Sequence, residues 1–228
     1  AADSLKTVWT TEALPAFQSD DGVEYQHQAL SALTYKEGCL YLGTACADFV
    51  SSYGGKYLCI EAATGEMVWQ YENTQAGYYW SGAVCVGDAL IFAGDDGILV
   101  SVQAKTGEEQ DRISLGAGCR STVVYAEGCV FVTSQDGTLH KIQVQADGTF
   151  GLHKEVSFGG YSTCTPAVYD GKVYVGGMDA SWEGIFCILD AESLKILQSE
   201  KTAADVKSAP LLAVQEDGTV RAYFTCNT

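Results

Sequence analysis

Apolar positions along the chain come in short runs of three to six, separated by small polar turns, and no stretch carries the 3.6-residue spacing of an amphipathic helix. One nine-residue phrase recurs: SALTYKEGC at 31–39, SGAVCVGDA at 81–89, STVVYAEGC at 121–129 and CTPAVYDGK at 164–172. Each phrase opens on a small residue, runs through apolar positions and closes on a turn. Each leads directly into a second apolar run: LYLGT, LIFAG, VFVTS or VYVGG. Third and fourth runs follow, as in YLCIEAATGEMVWQYE and ILVSVQAKTGEEQDRISL, hinged on ATG, KTG and ADG, which carry the glycine that tight β connections require. A fifth copy, SAPLLAVQEDGTVRAYF from Ser208, has a longer turn.

Four short strands per unit, repeated every 40 to 50 residues, predict an all-β fold: a β-propeller of four-stranded antiparallel blades. The pattern places complete blades at 29–72, 80–115, 120–158 and 162–201 and a partial fifth at 207–228, all within a single domain spanning 1–228. The segment SLKTVWTTEA reads as the last strand of a unit, with Val8-Trp9 matching Val68-Trp69, so residues 1–12 are expected to act as a closing strand. With only two C-terminal strands and one N-terminal strand, the fifth blade lacks its third strand. The expectation is a shortened chain with an unpaired edge that can take a strand from another chain or from a missing segment.

The phrase CIEAATGEMVW at 59–69 resembles the A-x-D-x-x-T-G-x-x-x-W docking motif of quinoprotein-type, or PQQ-like, propeller repeats, and VQAKTGEE at 102–109 is a weaker copy. Asp111 and Gln198 stand where the motif has Trp in the second and fourth units, so docking by tryptophan is expected only around the first. In that family, active members hold a quinone with Ca²⁺, a stacking Trp and a disulfide between adjacent cysteines. No Cys-Cys dipeptide occurs here, and the family's calcium ligands find no match. The resemblance therefore implies a non-catalytic scaffold, exported or attached to the cell envelope, although a cytoplasmic location also fits the residues. The alternative is a fragment of a quinone-dependent alcohol or sugar dehydrogenase. No cofactor, catalytic residue or metal site is expected.

Thirteen basic against 29 acidic side chains leave a net charge of −16, which disfavours nucleic acid and anionic lipid and favours basic partners. No apolar run reaches the length of a membrane-spanning helix. The start AADSLKTVW has neither an initiator Met nor a signal pattern, so the N-terminus is expected to arise by cleavage or truncation. Nine cysteines occur, none spaced C-x-x-C, and most are read as buried small hydrophobes. His27, His140 and His153 are read as ordinary strand or surface histidines on three different units, and Asp20-Asp21, Asp95-Asp96 and Glu216-Asp217 as turn residues before glycine.

Connectivity sorts the loops. The link leading into each blade shares a face with the link between that blade's second and third strands, while the opposite face receives only short turns. The loop-rich face thereby collects Tyr25, His27, Tyr53, Phe49, Tyr78, Tyr79, Trp80, Arg120, Tyr161, Trp182 and Lys207, beside Asp48, Asp95, Asp96, Asp136 and Asp179. Aromatics with polar tips suit recognition. The expected concave site, lined by Tyr78, Tyr79, Trp80, Tyr161 and Trp182 with Arg120 at the channel rim, would take a protein, peptide or glycan.

Overall fold

The computed structural model describes residues 6–19, 22–48 and 51–227. Those residues form strands and turns, with no helix. A short hairpin of β1 (Phe17–Gln18) and β2 (Glu24–Tyr25) precedes the first blade. That blade orders β3 (Thr34–Lys36), β4 (Cys39–Gly43), β6 (Ser52–Glu61) and β7 (Met67–Asn73), with the two-residue β5 (Cys46–Ala47) also pairing with β6. The second blade runs β8 (Val84–Val86), β9 (Ala89–Ala93), β10 (Ile98–Gln103), β11 (Glu109–Ser114). The third runs β12 (Val124–Ala126), β13 (Cys129–Ser134), β14 (Thr138–Val144), β15 (Phe150–Ser157), and the fourth β16 (Ala167–Tyr169), β17 (Lys172–Met178), β18 (Gly184–Asp190), β19 (Ile196–Lys201). A two-stranded sheet, β20 (Leu211–Val214) with β21 (Val220–Tyr223), is the partial fifth blade. Every strand pairing is antiparallel and, apart from β4 with β6 across the short β5, joins chain neighbours, as a propeller blade requires.

Local chemistry explains the hairpins. The turns between first and second strands place Glu37-Gly38, Glu127-Gly128 and Asp170-Gly171 at positive φ in both central positions, the two-residue turn whose twist matches that of the strands. The small residue opening each phrase has its own task. Ser31 Oγ accepts from Gly43 N at 2.7 Å, Ser121 Oγ from Thr133 N at 3.1 Å, and Cys164 Sγ from Gly176 N at 3.4 Å. Ser81 Oγ donates to Ala93 O. In each case the partner lies twelve residues on, within the last three residues of the second strand. In the fifth copy Ser208 reaches Thr225 N, seventeen residues on, because the turn is longer. The repeat is thus a hydrogen-bonding device that ties each incoming link to its blade.

Buried apolar residues collect in the seams between consecutive sheets. Tyr41, Tyr57 and Trp69 of the first blade meet Leu90, Phe92 and Val102 of the second. Ile91 and Leu99 meet Val130 and Ile142, Phe131 and Leu139 meet Val173 and Leu189, and Phe186 stacks on Phe224 at 4.2 Å. All nine cysteines are free thiols. Cys46, Cys59, Cys119, Cys164 and Cys187 are buried and Cys39, Cys85, Cys129 and Cys226 half-buried; burial pushes the Cys164 thiol up to about 12.

Trp docking follows the Val-Trp match. Trp69 Nε1 donates to Ala104 O at 2.8 Å with its ring over Gly107, where an added Cβ would lie 2.7 Å from the indole. Trp9 repeats this on the first blade, donating to Ala62 O at 2.9 Å over Gly65. At the next seam a polar pair takes over: Gln110 Nε2 donates to Asp147 O at 2.9 Å, and Asp111 accepts from Phe150 N at 2.8 Å. Of the expected closing strand at 1–12, residues 1–5 lie outside the described residues. Residues 6–12 carry no strand, and Trp9 anchors them to the first blade rather than to the fifth. The outer edge of β21, whose partner among the described residues is β20, is not covered by residues 6–12.

Candidate binding face

The strand order fixes the faces as the connectivity argument requires: the links before β8, β12 and β16 open on the same side as those between second and third strands. Arg120, in the link before β12, reaches back to the β9–β10 turn. Its Nε and Nη2 donate to Asp95 Oδ1 and Oδ2 at 3.0 and 2.9 Å, a two-pronged pair whose side chains are both nearly buried. Burial pushes the Asp95 carboxyl up, and hydrogen bonds from Arg120 and Ser52 pull it back. Ser52 Oγ donates to Asp95 Oδ2 at 2.7 Å and accepts from Gly77 N at 2.9 Å. One carboxylate thereby locks together segments of the first three blades.

The guanidinium also lies 4.7 Å from the centre of the Tyr79 ring, a cation–π contact, and Tyr79 packs against Trp80 at 4.8 Å. Trp80 is 43% exposed and sits at φ 61°. Trp182, on the β17–β18 link, is 70% exposed at φ 62°, with Tyr161 6.3 Å away. Left-handed backbone is an outlier for a bulky residue and costs of order 1–3 kcal/mol. The β17–β18 link that sets Trp182 is held by Asp179, whose Oδ1 accepts from Ser181 N at 2.8 Å and Glu183 N at 3.0 Å.

Of the six site residues expected from sequence, the structure groups Tyr79, Trp80 and Arg120 in one cluster and Tyr161 with Trp182 in another. Tyr78 departs from expectation: it is 1% exposed, in edge contact with Tyr57 at 5.2 Å and Phe92 at 5.4 Å. The link turns its ring into the first seam, so it supports the site without lining the open face. The concavity also differs. A cavity of about 640 Å³ is lined by Phe17, Ser19, Ser52, Tyr53, Thr74 and Gln75, and one of about 230 Å³ by Tyr71, Asn73, Tyr78, Asp96 and Arg112; neither includes Tyr79, Trp80, Tyr161 or Trp182. Beside the larger cavity Tyr25 stacks on Tyr53 at 4.4 Å, and Tyr53 Oη donates to Asp48 at 2.6 Å. Phe49 and Asp20-Asp21 lie outside the described residues.

The histidines are not spread over three units. His140 on β14 and His153 on β15 share the third blade, with ring nitrogens 3.1 Å apart and Glu155 beside them. His140 is 1% exposed; burial first, and His153 second, lower its pKa to about 4. Sequence reasoning missed the pair because a thirteen-residue separation becomes adjacency only through the β14–β15 register. His27, by contrast, pairs with Thr44 Oγ1 at 2.8 Å.

A family model described as outer membrane protein assembly factor BamB matches residues 2–124 and 95–224. The chain belongs to this family of PQQ-like propellers. Solved structures agree on the fold. BamB from Moraxella catarrhalis is 16% identical with a TM-score of 0.59, over 88% of this chain and 60% of that one. Quinohemoprotein alcohol dehydrogenase ADHIIG from Pseudomonas putida HK5 is 12% identical with a TM-score of 0.63, over 92% and 40%, and the Comamonas testosteroni quinohemoprotein alcohol dehydrogenase 13% with 0.65, over 88% and 40%. This PQQ-like chain therefore spans about three fifths of the one and two fifths of the others. No curated protein matches it.

The residues present do not fit a quinone with calcium. Asp95 is committed to Arg120 and Ser52, and Asp205, the more enclosed carboxylate, faces the Lys207 ammonium at 3.6 Å. The grouping of three metal-ligating side chains found among the described residues is nitrogen-rich and lies on the outer strands of the third blade, whereas Ca²⁺ takes oxygen ligands.

Proposed function

We propose that this PQQ-like propeller is a non-catalytic scaffold that binds a protein or peptide partner, with a glycan as the other ligand of suitable chemistry, through Tyr79, Trp80, Arg120, Tyr161 and Trp182 on the loop-rich face. One observation carries the reading: two exposed tryptophans on that face, Trp80 and Trp182, are both held in left-handed backbone. Strain of that kind persists where the surroundings impose it, and exposed indoles in imposed positions are what a recognition surface needs. The nearly buried Arg120–Asp95 pair holds its guanidinium against Tyr79, which packs on Trp80, so little order is lost when a ligand arrives. A net charge of −16 favours a basic partner. The description of the matching family as an outer membrane assembly factor supports a place in the cell envelope. The main-chain edge of β21 adds a second mode, in which a strand of another chain or of a longer parent extends the fifth blade.

Peptide and glycan arrays probed with the native chain and with a Trp80→Ala, Trp182→Ala double variant test the reading. Ligands bound by the native chain are expected to be lost by the variant; an unchanged pattern contradicts it. The quinoprotein neighbours favour one rival reading, a dehydrogenase fragment. Reduction of an artificial electron acceptor on adding quinone, Ca²⁺ and an alcohol would establish that rival.

A further inference from the structure

The third blade carries a cluster that the binding face does not use. His140 and Glu155 are directly opposite in the β14–β15 register, and His153 lies two residues before Glu155, so all three side chains project from one face of the sheet. His140 Nδ1 is 3.1 Å from His153 Nε2 and 3.4 Å from Glu155 Oε2, and His153 Nε2 is 3.6 Å from Glu155 Oε2. Three ligands on a tetrahedral ion with bonds of about 2.0–2.1 Å stand about 3.3 Å apart, which is the size of this triangle.

Neighbouring hydrogen bonds present the donors in the right form. Ser134 Oγ donates its one proton to Asp136 Oδ1 at 2.6 Å, so at 2.8 Å it must accept from His140 Nε2–H. That assigns the His140 proton to Nε2 and leaves a bare lone pair on Nδ1, aimed at His153 and Glu155. Such a serine–carboxylate brace is the outer support that metal-bound histidines commonly have. His153 Nε2 carries at most one hydrogen and faces two acceptors, the Nδ1 lone pair and the carboxylate. A cation satisfies all three. No lysine occupies the spot: Lys141 and Lys154, although adjacent in sequence, both pair with Glu192.

We propose that His140, His153 and Glu155 form a site for a divalent zinc-type ion. Two imidazoles and a carboxylate suit zinc and its late transition-metal neighbours better than calcium or magnesium. His140 is buried and Glu155 exposed, so the fourth position faces solvent and is open to water or to a donor from a partner.

The test uses the full chain, stripped with chelator and kept reduced, titrated calorimetrically with Zn²⁺, beside His153→Gln and Glu155→Gln. Both substitutions fall at accessible positions, and matched melting curves without metal verify their folding. The expected result is one equivalent bound by the native chain, with affinity reduced on the order of 100-fold or more in each variant. Co²⁺ should give a tetrahedral visible spectrum lacking thiolate charge-transfer absorption. The proposal is overturned by absence of stoichiometric binding, by variants that bind as tightly as the native chain, or by a thiolate band that assigns the metal to the cysteines.

Discussion

The seam between the first two blades and the loop-rich face are both built from aromatics, yet they use them in opposite ways. In the seam, Tyr57 stacks on Phe92 at 4.0 Å, Tyr78 abuts both, and Trp69 docks over Gly107. Each ring there is enclosed by others. On the face, Tyr79 and Trp80 continue the same stretch of chain but stand on a nearly buried ion pair, with Trp80 turned outward by a positive φ. Two positions apart, Tyr78 and Trp80 thus serve a core and a surface. Hydrophobicity alone does not separate these uses; backbone conformation does.

Substitution should separate the two regions by size of effect. The largest loss is expected in the seam. Trp69→Ala removes an enclosed indole and its hydrogen bond to Ala104, and should cost about 3–5 kcal/mol by urea denaturation. A loss under about 1 kcal/mol would mean that this seam does not hold the blades together. Next comes the support beneath the face. Arg120→Ala strands the Asp95 carboxylate in a nearly buried position and should cost about 3 kcal/mol, part of which Asp95→Asn in the same chain should restore. If the double variant is no more stable than the single, the ion pair is not the lock described here. The smallest effect is again in the seam. Tyr78 Oη has no hydrogen-bond partner among the described residues, so Tyr78→Phe should leave the urea midpoint within about 0.5 kcal/mol or raise it slightly. A clear loss would reveal a partner for that hydroxyl.

Much of this was legible in the chain. The recurring phrase set the blades because each copy is one hairpin opened by a small residue, and the twelve-residue hydrogen bonds from Ser31, Ser81, Ser121 and Cys164 show why that residue recurs. The match of Val8-Trp9 to Val68-Trp69 correctly equated two docking tryptophans, yet residues 6–12 carry no strand. Docking needs only a turn for the indole to rest on, and that is the part of the match the sequence carried. The link at 77–82 leading into β8 could not be resolved by alternation, because it is not a strand: Trp80 enters left-handed space without a glycine to announce it. The His140–His153 pair was hidden for a different reason. Its geometry depends on strand register past the irregularity between Ile142 and Val144, and no short motif encodes that.

The central claim, that the loop-rich face is shaped for recognition, is tested most directly by one paired measurement on Trp80→Ala. Affinity for an array-selected ligand and the thermal midpoint are read on the same preparation. The account predicts a loss of about 2 kcal/mol or more in binding, roughly 30-fold, with a midpoint within about 2 °C of the native chain. A midpoint several degrees lower with affinity unchanged would contradict it, and would show that Trp80 packs the channel mouth instead of meeting a partner.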